Sequence, residues 1–135
     1  MYYSMETKLK PGLNHIEFWV SDVKRSMAFY EGVLTIVGWV KISDNSLSSS
    51  SMILYFLEVK GLEKLRSLGV RHLCFQATKK NQVEQVHSIL VGMGTEIIRG
   101  PQTMPYSEGY YTVDFFDPDG QVIEVAYTPE ANTVL

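Results

Sequence analysis

The stretches LNHIEFWV (13–20) and VRHLCFQA (70–77) decide the fold. Each carries a histidine, His15 and His72, inside a run that alternates like a strand. In the first run Leu13, His15, Glu17 and Trp19 share one face, and Asn14, Ile16, Phe18 and Val20 share the other. In the second run His72, Cys74 and Gln76 share one face, and Leu73, Phe75 and Ala77 the other. The apolar face of each suits packing on a helix. The mixed polar and aromatic face suits a ligand cavity.

The two runs also lead into matching segments. After Val20, Ser21 or Asp22 can cap a helix whose stripe is Val23, Met27, Tyr30 and Leu34. After Ala77, the stripe is Val83, Val86, Ile89, Leu90 and Met93. Gly38 and Gly94 then end the helical units, leading into strands at 39–42 and 95–99. SDNSLSSSS (43–51) reads as a polar turn, 61–69 as a short helical linker, and 101–109 as a loop with two prolines. Strands are expected at 52–59, 110–116 and 121–127, the last two joined by Asp117-Pro118-Asp119-Gly120. Each half closes on a strand with one glutamate, Glu58 in LYFLEV and Glu124 in QVIEVAY. The repeat is unequal. Gly38 to Glu58 spans fewer positions than Gly94 to Glu124, as if the first half had lost a short strand or a long hairpin.

These patterns predict an α+β fold in a single domain over residues 1–135. Two βαβββ repeats, at about 12–60 and 69–128, form a curved mixed sheet around a cavity, with the first repeat shortened. At 135 residues the chain is long enough to bury a core. Its apolar content of 45% and charged content of 20% are ordinary for a globular protein. A net charge of -3 without a run of Lys or Arg argues against nucleic acid as a partner. No apolar stretch is of membrane-span length. The N-terminus lacks the apolar centre of a signal peptide, and Cys74, the lone cysteine, allows no intrachain disulfide. A cytoplasmic location is the expectation.

A buried ionisable group is costly unless something uses it. One His and one Glu per half, each inside an expected strand, therefore suggest a metal site between the repeats. Glu17 and Asp114 are candidate acid/base or supporting groups, with surface charge as the simpler account. Trp19, Gln76, Tyr110 and Tyr111 are candidates to line a substrate pocket, with core packing the competing reading for the aromatics. Cys74 reads as a small buried hydrophobe rather than a soft ligand. Asp117 and Asp119 read as turn residues.

The pieces LNHIEFWVSDVKRSMAFYEGVL, GVRHLCFQA and GYYTVDFFDPDGQVIEV resemble the vicinal oxygen chelate superfamily. That superfamily includes glyoxalase I, extradiol dioxygenases, fosfomycin-resistance proteins, methylmalonyl-CoA epimerase and bleomycin-binding proteins. The resemblance runs from Leu13 to Tyr127. It implies metal ligands from the first and last strand of each half: His15, Glu58, His72 and Glu124. With Glu58 the set suits a nickel- or zinc-type glyoxalase site. Without it, two histidines and a carboxylate suit Fe(II) or Mn(II). The implied reaction is that of a glyoxalase-type lyase or isomerase, with Glu124 or Glu58 shuttling a proton next to a carbonyl of a small substrate. A metal-free small-molecule binder of the bleomycin-binding type and an Fe(II) extradiol-type dioxygenase are the alternatives. A homodimer is expected, completing sheet edges and cavity.

Overall fold

The computed structural model describes residues 11–62 and 70–130. The expected linker helix at 61–69 falls largely outside the described residues. The first half holds β1 (His15–Val20), α1 (Val23–Leu34), β2 (Val40–Ser43), β3 (Ser46–Ser48) and β4 (Ile53–Glu58). The second holds β5 (His72–Ala77), α2 (Lys80–Gly92), β6 (Ile97–Thr103), β7 (Tyr111–Phe116) and β8 (Val122–Tyr127). Each half builds one four-stranded mixed sheet of the same topology, β1-β4-β3-β2 and β5-β8-β7-β6. First and last strands run parallel, and the other pairings are antiparallel. The protein is thus an α+β fold of two βαβββ repeats.

The first repeat is shortened without losing a strand. The serine-rich stretch expected to be a turn contains β3, and its Leu47 is fully buried opposite Leu54. The strands β2 and β3 have 4 and 3 residues, whereas β6 and β7 have 7 and 6. In the second repeat, Pro101 to Thr103 extend β6 instead of opening a loop. The register of β6 shifts around Arg99, which absorbs the proline.

Local chemistry accounts for the helix boundaries. Asp22 caps α1, its carboxylate accepting from Arg25 N at 3.0 Å. The chain leaves the helix through a short 3-10 turn, Thr35–Val37, and Gly38 then takes a left-handed φ of 99°. The stripe of α1 buries Met27, Tyr30 and Leu34, and that of α2 buries Val83, Val86 and Leu90. Both helices join one hydrophobic cluster with Val20, Leu54 and Phe56 of the first sheet and Phe75, Phe115, Ile123 and Val125 of the second. Each such fully buried side chain contributes about 1.5–3 kcal/mol. Aromatic contacts cross between the halves, Phe29 on Phe115 at 6.0 Å and Trp39 on Phe75 at 5.5 Å.

The turn before β8 fastens the halves together. Asp117, buried, accepts from Tyr30 Oη at 2.6 Å and from the N–H groups of Asp119 and Gln121. Asp119 accepts from Ser21 N at 3.1 Å and Arg25 Nη2 at 3.2 Å, at the start of α1. These are turn residues, as expected, and also a latch. Because the latch and the shared core hold the two sheets in one body, the site-bearing faces of β5, β7 and β8 are fixed to the rest of the chain.

Candidate metal and substrate site

Strand register places the site. In the parallel pair β5 and β8, Cys74 lies opposite Glu124 and His72 opposite Val122. In β7, Asp114 lies opposite Glu124 and Thr112 opposite Ala126. Strand alternation then sets His72, Glu124, Asp114 and Thr112 on one face of the second sheet. Glu124 is only 4% exposed. Its Oε1 lies 3.3 Å from His72 Nε2. Its Oε2 accepts from Tyr110 Oη and Thr112 Oγ1, both at 2.7 Å. A buried carboxylate needs such donors.

The network continues outward on both sides. Arg71 Nη1 lies 3.0 Å from His72 Nδ1. A guanidinium only donates, so Nδ1 accepts and the ring proton sits on Nε2, facing Glu124. On the other flank, Arg99 Nη2 donates to Asp114 Oδ2 at 2.7 Å and Nη1 to Tyr106 Oη at 3.2 Å. His72, Glu124, Tyr110, Asp114, Arg71, Arg99, Tyr106 and Ile98 line a cavity of about 530 Å³, the size of a small-molecule site.

Burial sets the protonation of its walls. Burial first, and then the hydrogen bond and charge of Glu124, push the Tyr110 phenol well up, so it remains a donor. Asp114 is raised by burial and by Glu124, against the opposing effect of Arg99. The Cys74 thiol is pushed up to about 12 by burial and by Glu124. Cys74 is not sealed in the core as expected, since its residue is exposed on the cavity-side face. Its thiol nevertheless stays protonated and unreactive.

The spacing of His72 Nε2 and Glu124 Oε1 would fit one divalent ion only after the proton on Nε2 has moved. Nitrogen and oxygen ligands about 2.0–2.2 Å from an ion lie about 3.0–3.4 Å from each other. The observed 3.3 Å falls in that range. Among the described residues, no three of His, Cys, Asp and Glu gather closely enough to hold a metal.

The other expected ligands lie elsewhere. His15 is on β1 in the first sheet, exposed, with Nδ1 2.7 Å from Asn14 Oδ1 and its ring edge-on to Tyr55. Glu17 and Trp19 share its open face, the indole N–H donating to Glu17 at 3.2 Å.

Glu58 lies apart from His15. It pairs in register with Val20, on the core side of the sheet, and its Oε1 accepts from Val23 N at 3.0 Å. It completes the helix N-terminus rather than joining His15. The repeat shows why. In the second half the glutamate sits opposite the residue two after the histidine, and the equivalent position in the first half is Tyr55, opposite Glu17. Glu58 lies three residues further on, an odd step that turns it to the other face.

Gln76, the remaining candidate, uses its amide to donate to Ala77 O at 2.8 Å and Ala126 O at 3.2 Å at the strand end, away from the His72 cavity. Tyr111 turns outward, its hydroxyl on Glu84 and its ring under Lys80 Nζ at 4.7 Å. Sequence patterns alone do not single out Arg71, Arg99, Tyr106 or Thr112. Arg71 has one signal, its place beside His72. Thr112 has another, its two-residue phase with Asp114. Arg99 has none, because the register shifts in β6 break the alternation that would have placed it.

A two-repeat βαβββ fold defines the class of protein. The chain belongs to the Glyoxalase/Bleomycin resistance protein/Dioxygenase superfamily, whose family model matches residues 12–125. It is 27% identical over 123 residues to the uncharacterized protein YqjT of Bacillus subtilis (strain 168), covering 84% of this chain and 96% of that one. A glyoxalase/dioxygenase from Nostoc punctiforme has a similar structure (TM-score 0.69, 19% identity, 96% of this chain and 98% of that chain). So does the fosfomycin resistance protein FosX from Mesorhizobium loti (TM-score 0.65, 20% identity, 89% and 94%). At these identities the structural likeness establishes the fold alone.

Proposed function

We propose that the chain is a metal-dependent lyase or isomerase of the glyoxalase type, acting on a small oxygenated substrate in the His72–Glu124 cavity. The observation that carries this reading is the pair itself. A buried carboxylate and an imidazole stand at chelating distance on the wall of a cavity of about 530 Å³. His72 Nε2 and Glu124 Oε1 would hold a divalent ion (Ni, Zn, Mn or Fe), and His15 from a second copy in a symmetric homodimer would supply a further ligand. When bound, such an ion stabilises negative charge developing on a substrate oxygen.

The chain's own residues do the rest. Tyr110 and Thr112 hold Oε2 of Glu124, so Oε1 is the oxygen that, when not held by an ion, would be able to take a proton from a carbon next to a carbonyl. Tyr110, kept protonated, steadies that carboxylate at the cavity wall. Asp114, clamped by Arg99, is a second acid/base group beside the substrate. For His72 to offer a lone pair at Nε2, its proton must move to Nδ1. Arg71 must then leave that nitrogen, because two donors cannot face each other.

A second reading is a metal-free small-molecule binder. It is favoured by the partners that both oxygens of Glu124 already have within the chain. Elemental analysis of tag-free protein separates the two. The metal reading expects stoichiometric divalent ion, lost in His15→Ala and in His72→Ala with little change in melting temperature. Wild-type protein that takes up no ion yet still binds small ligands would establish the metal-free reading instead.

A further inference from the structure

The cavity has a second chemical end, away from the reacting pair His72 and Glu124. Glu124 forms its floor, at 4% exposure, while Tyr106 stands at the rim at 61%. Arg71 is exposed, and Arg99 lies between floor and rim with its side chain 30% exposed. Arg71, Arg99 and Tyr106 all hold hydrogen-bond donors in reserve. Arg99 spends one N–H of Nη2 on Asp114 and one of Nη1 on Tyr106, which leaves one N–H on each terminal nitrogen, while its Nε is buried. Tyr106 accepts from Arg99, so its own proton is unspent. Arg71 spends Nη1 on the neutral ring of His72, and among the described residues it pairs with no carboxylate.

Arg99 is also held in place. The register of β6 shifts on both sides of it. Next to it Gly100, at φ 93°, lies so close to β7 that a Cβ there would meet Thr112 O at 2.2 Å. A bulge of this kind re-aims a side chain, and Asp114 then fixes the guanidinium at 2.7 Å. An arginine fixed before the ligand arrives loses little freedom on binding, and its fork matches two oxygens of one anion. A purely structural ion pair explains Arg99 with Asp114. It does not explain a second guanidinium on the same cavity with no acidic partner among the described residues.

We infer that the occupant of this cavity carries an oxyanion, a carboxylate or a phosphonate, seated at the rim on Arg99 and Arg71 with Tyr106 donating to it. Its reactive carbon then points down to His72 and Glu124. This inference rests on the proposed reading of the cavity as the reaction site. It also gives Arg71 a place to go when it leaves His72.

The test is calorimetric titration of metal-free protein with propionate, methylphosphonate and the neutral propionamide. Both anions are expected to bind at least about tenfold more tightly than propionamide, and less tightly as salt rises. The tighter of the two identifies the oxyanion. Arg71→Met should weaken both anions about tenfold. Arg99→Lys keeps a cation on Asp114, and so the fold, but loses the fork and should weaken them similarly. Equal binding of propionate, methylphosphonate and propionamide, absence of binding by both anions, or anion affinities unchanged in Arg71→Met would overturn the inference. The metal is tested apart from this. Protein that binds propionate but no metal keeps the anion site and loses the proposed chemistry, and protein that binds metal but neither anion does the reverse.

Discussion

The chemistry of single residues in this protein is dominated by buried carboxylates that differ in how they are satisfied. Glu124 takes two hydroxyl donors and the His72 imidazole, and so stands buried facing a cavity. Asp117 takes one hydroxyl and two backbone N–H groups and works as a latch. Burial outweighs those donors at Asp117 and raises its pKa above the ordinary carboxylate value. A raised folded pKa means that the folded chain binds more protons than the unfolded one in the window from about 4, the unfolded value, up to the folded value. The protonated carboxyl of Asp117 is therefore the form that favours the folded state, and its contribution, full below that window, is lost as pH rises through the folded pKa. In Asp117→Asn the amide N–H groups would face donors, at a cost of about 1–3 kcal/mol. The melting-temperature advantage of wild type over this variant should shrink from pH 4 upward and then level off. Asp114, also raised, is common to both proteins and cancels. An advantage that grows with pH across the window would contradict the assignment. At this scale strand phase marks His72 and Glu124 as candidates, and Tyr110 and Asp114 enter by residue type; the register of β5, β7 and β8 is what puts His72, Asp114 and Glu124 on one face. The sequence does not disclose how each is satisfied, since Tyr110 and Thr112 reach Glu124 only through the pairing of β7 with β8.

Parity along a strand decides whether a charged side chain meets the cavity or the helix layer. Glu58 illustrates this. Its position at the end of β4 resembles that of Glu124 in the sequence, but its register with Val20 puts it at the N-terminus of α1, where a carboxylate is favoured by unpaired N–H groups and the helix dipole. Glu58→Gln should thus cost up to about 1 kcal/mol in stability and leave metal stoichiometry unchanged. A variant with normal stability but no metal would restore Glu58 as a ligand. The same parity argument marks what is readable in the sequence. Both helices, the strands at the start and end of each repeat and the hairpin at Asp117 to Gly120 follow from spacing and turn residues. The strand β3 is hidden because Leu47 is its sole apolar residue in a serine run, and burial of that one side chain opposite Leu54 holds it in the sheet. The continuation of β6 through Pro101 is hidden because proline is tolerated there only at a register shift, which no local pattern announces.

The two sheets are alike in topology and unlike in what their open faces present. The second carries the His72–Glu124 cavity. The first carries His15 in one cross-strand row with Ile53, Ser48 and Val40, and Trp19 beside Leu57 in another. Of these, Trp19 is 61%, Val40 62% and Leu57 48% exposed. Large apolar groups on the open face that also carries His15 make a surface that favours burial against a partner. The partner in the proposed function is a second copy. In a symmetric pair the face that carries His15 in one chain can meet the His72–Glu124 wall of the other, and the same contact then occurs twice. That arrangement supplies the third ligand which the described residues of one chain do not bring to His72 and Glu124. Sedimentation equilibrium should show a dimer at micromolar concentration. Leu57→Glu, placed on the open face and away from the core, should shift it to monomer with a melting temperature close to that of wild type. The monomer should lose most of its metal affinity although His15, His72 and Glu124 are all intact. A monomeric Leu57→Glu protein that keeps a full complement of metal would show that the site closes within one chain.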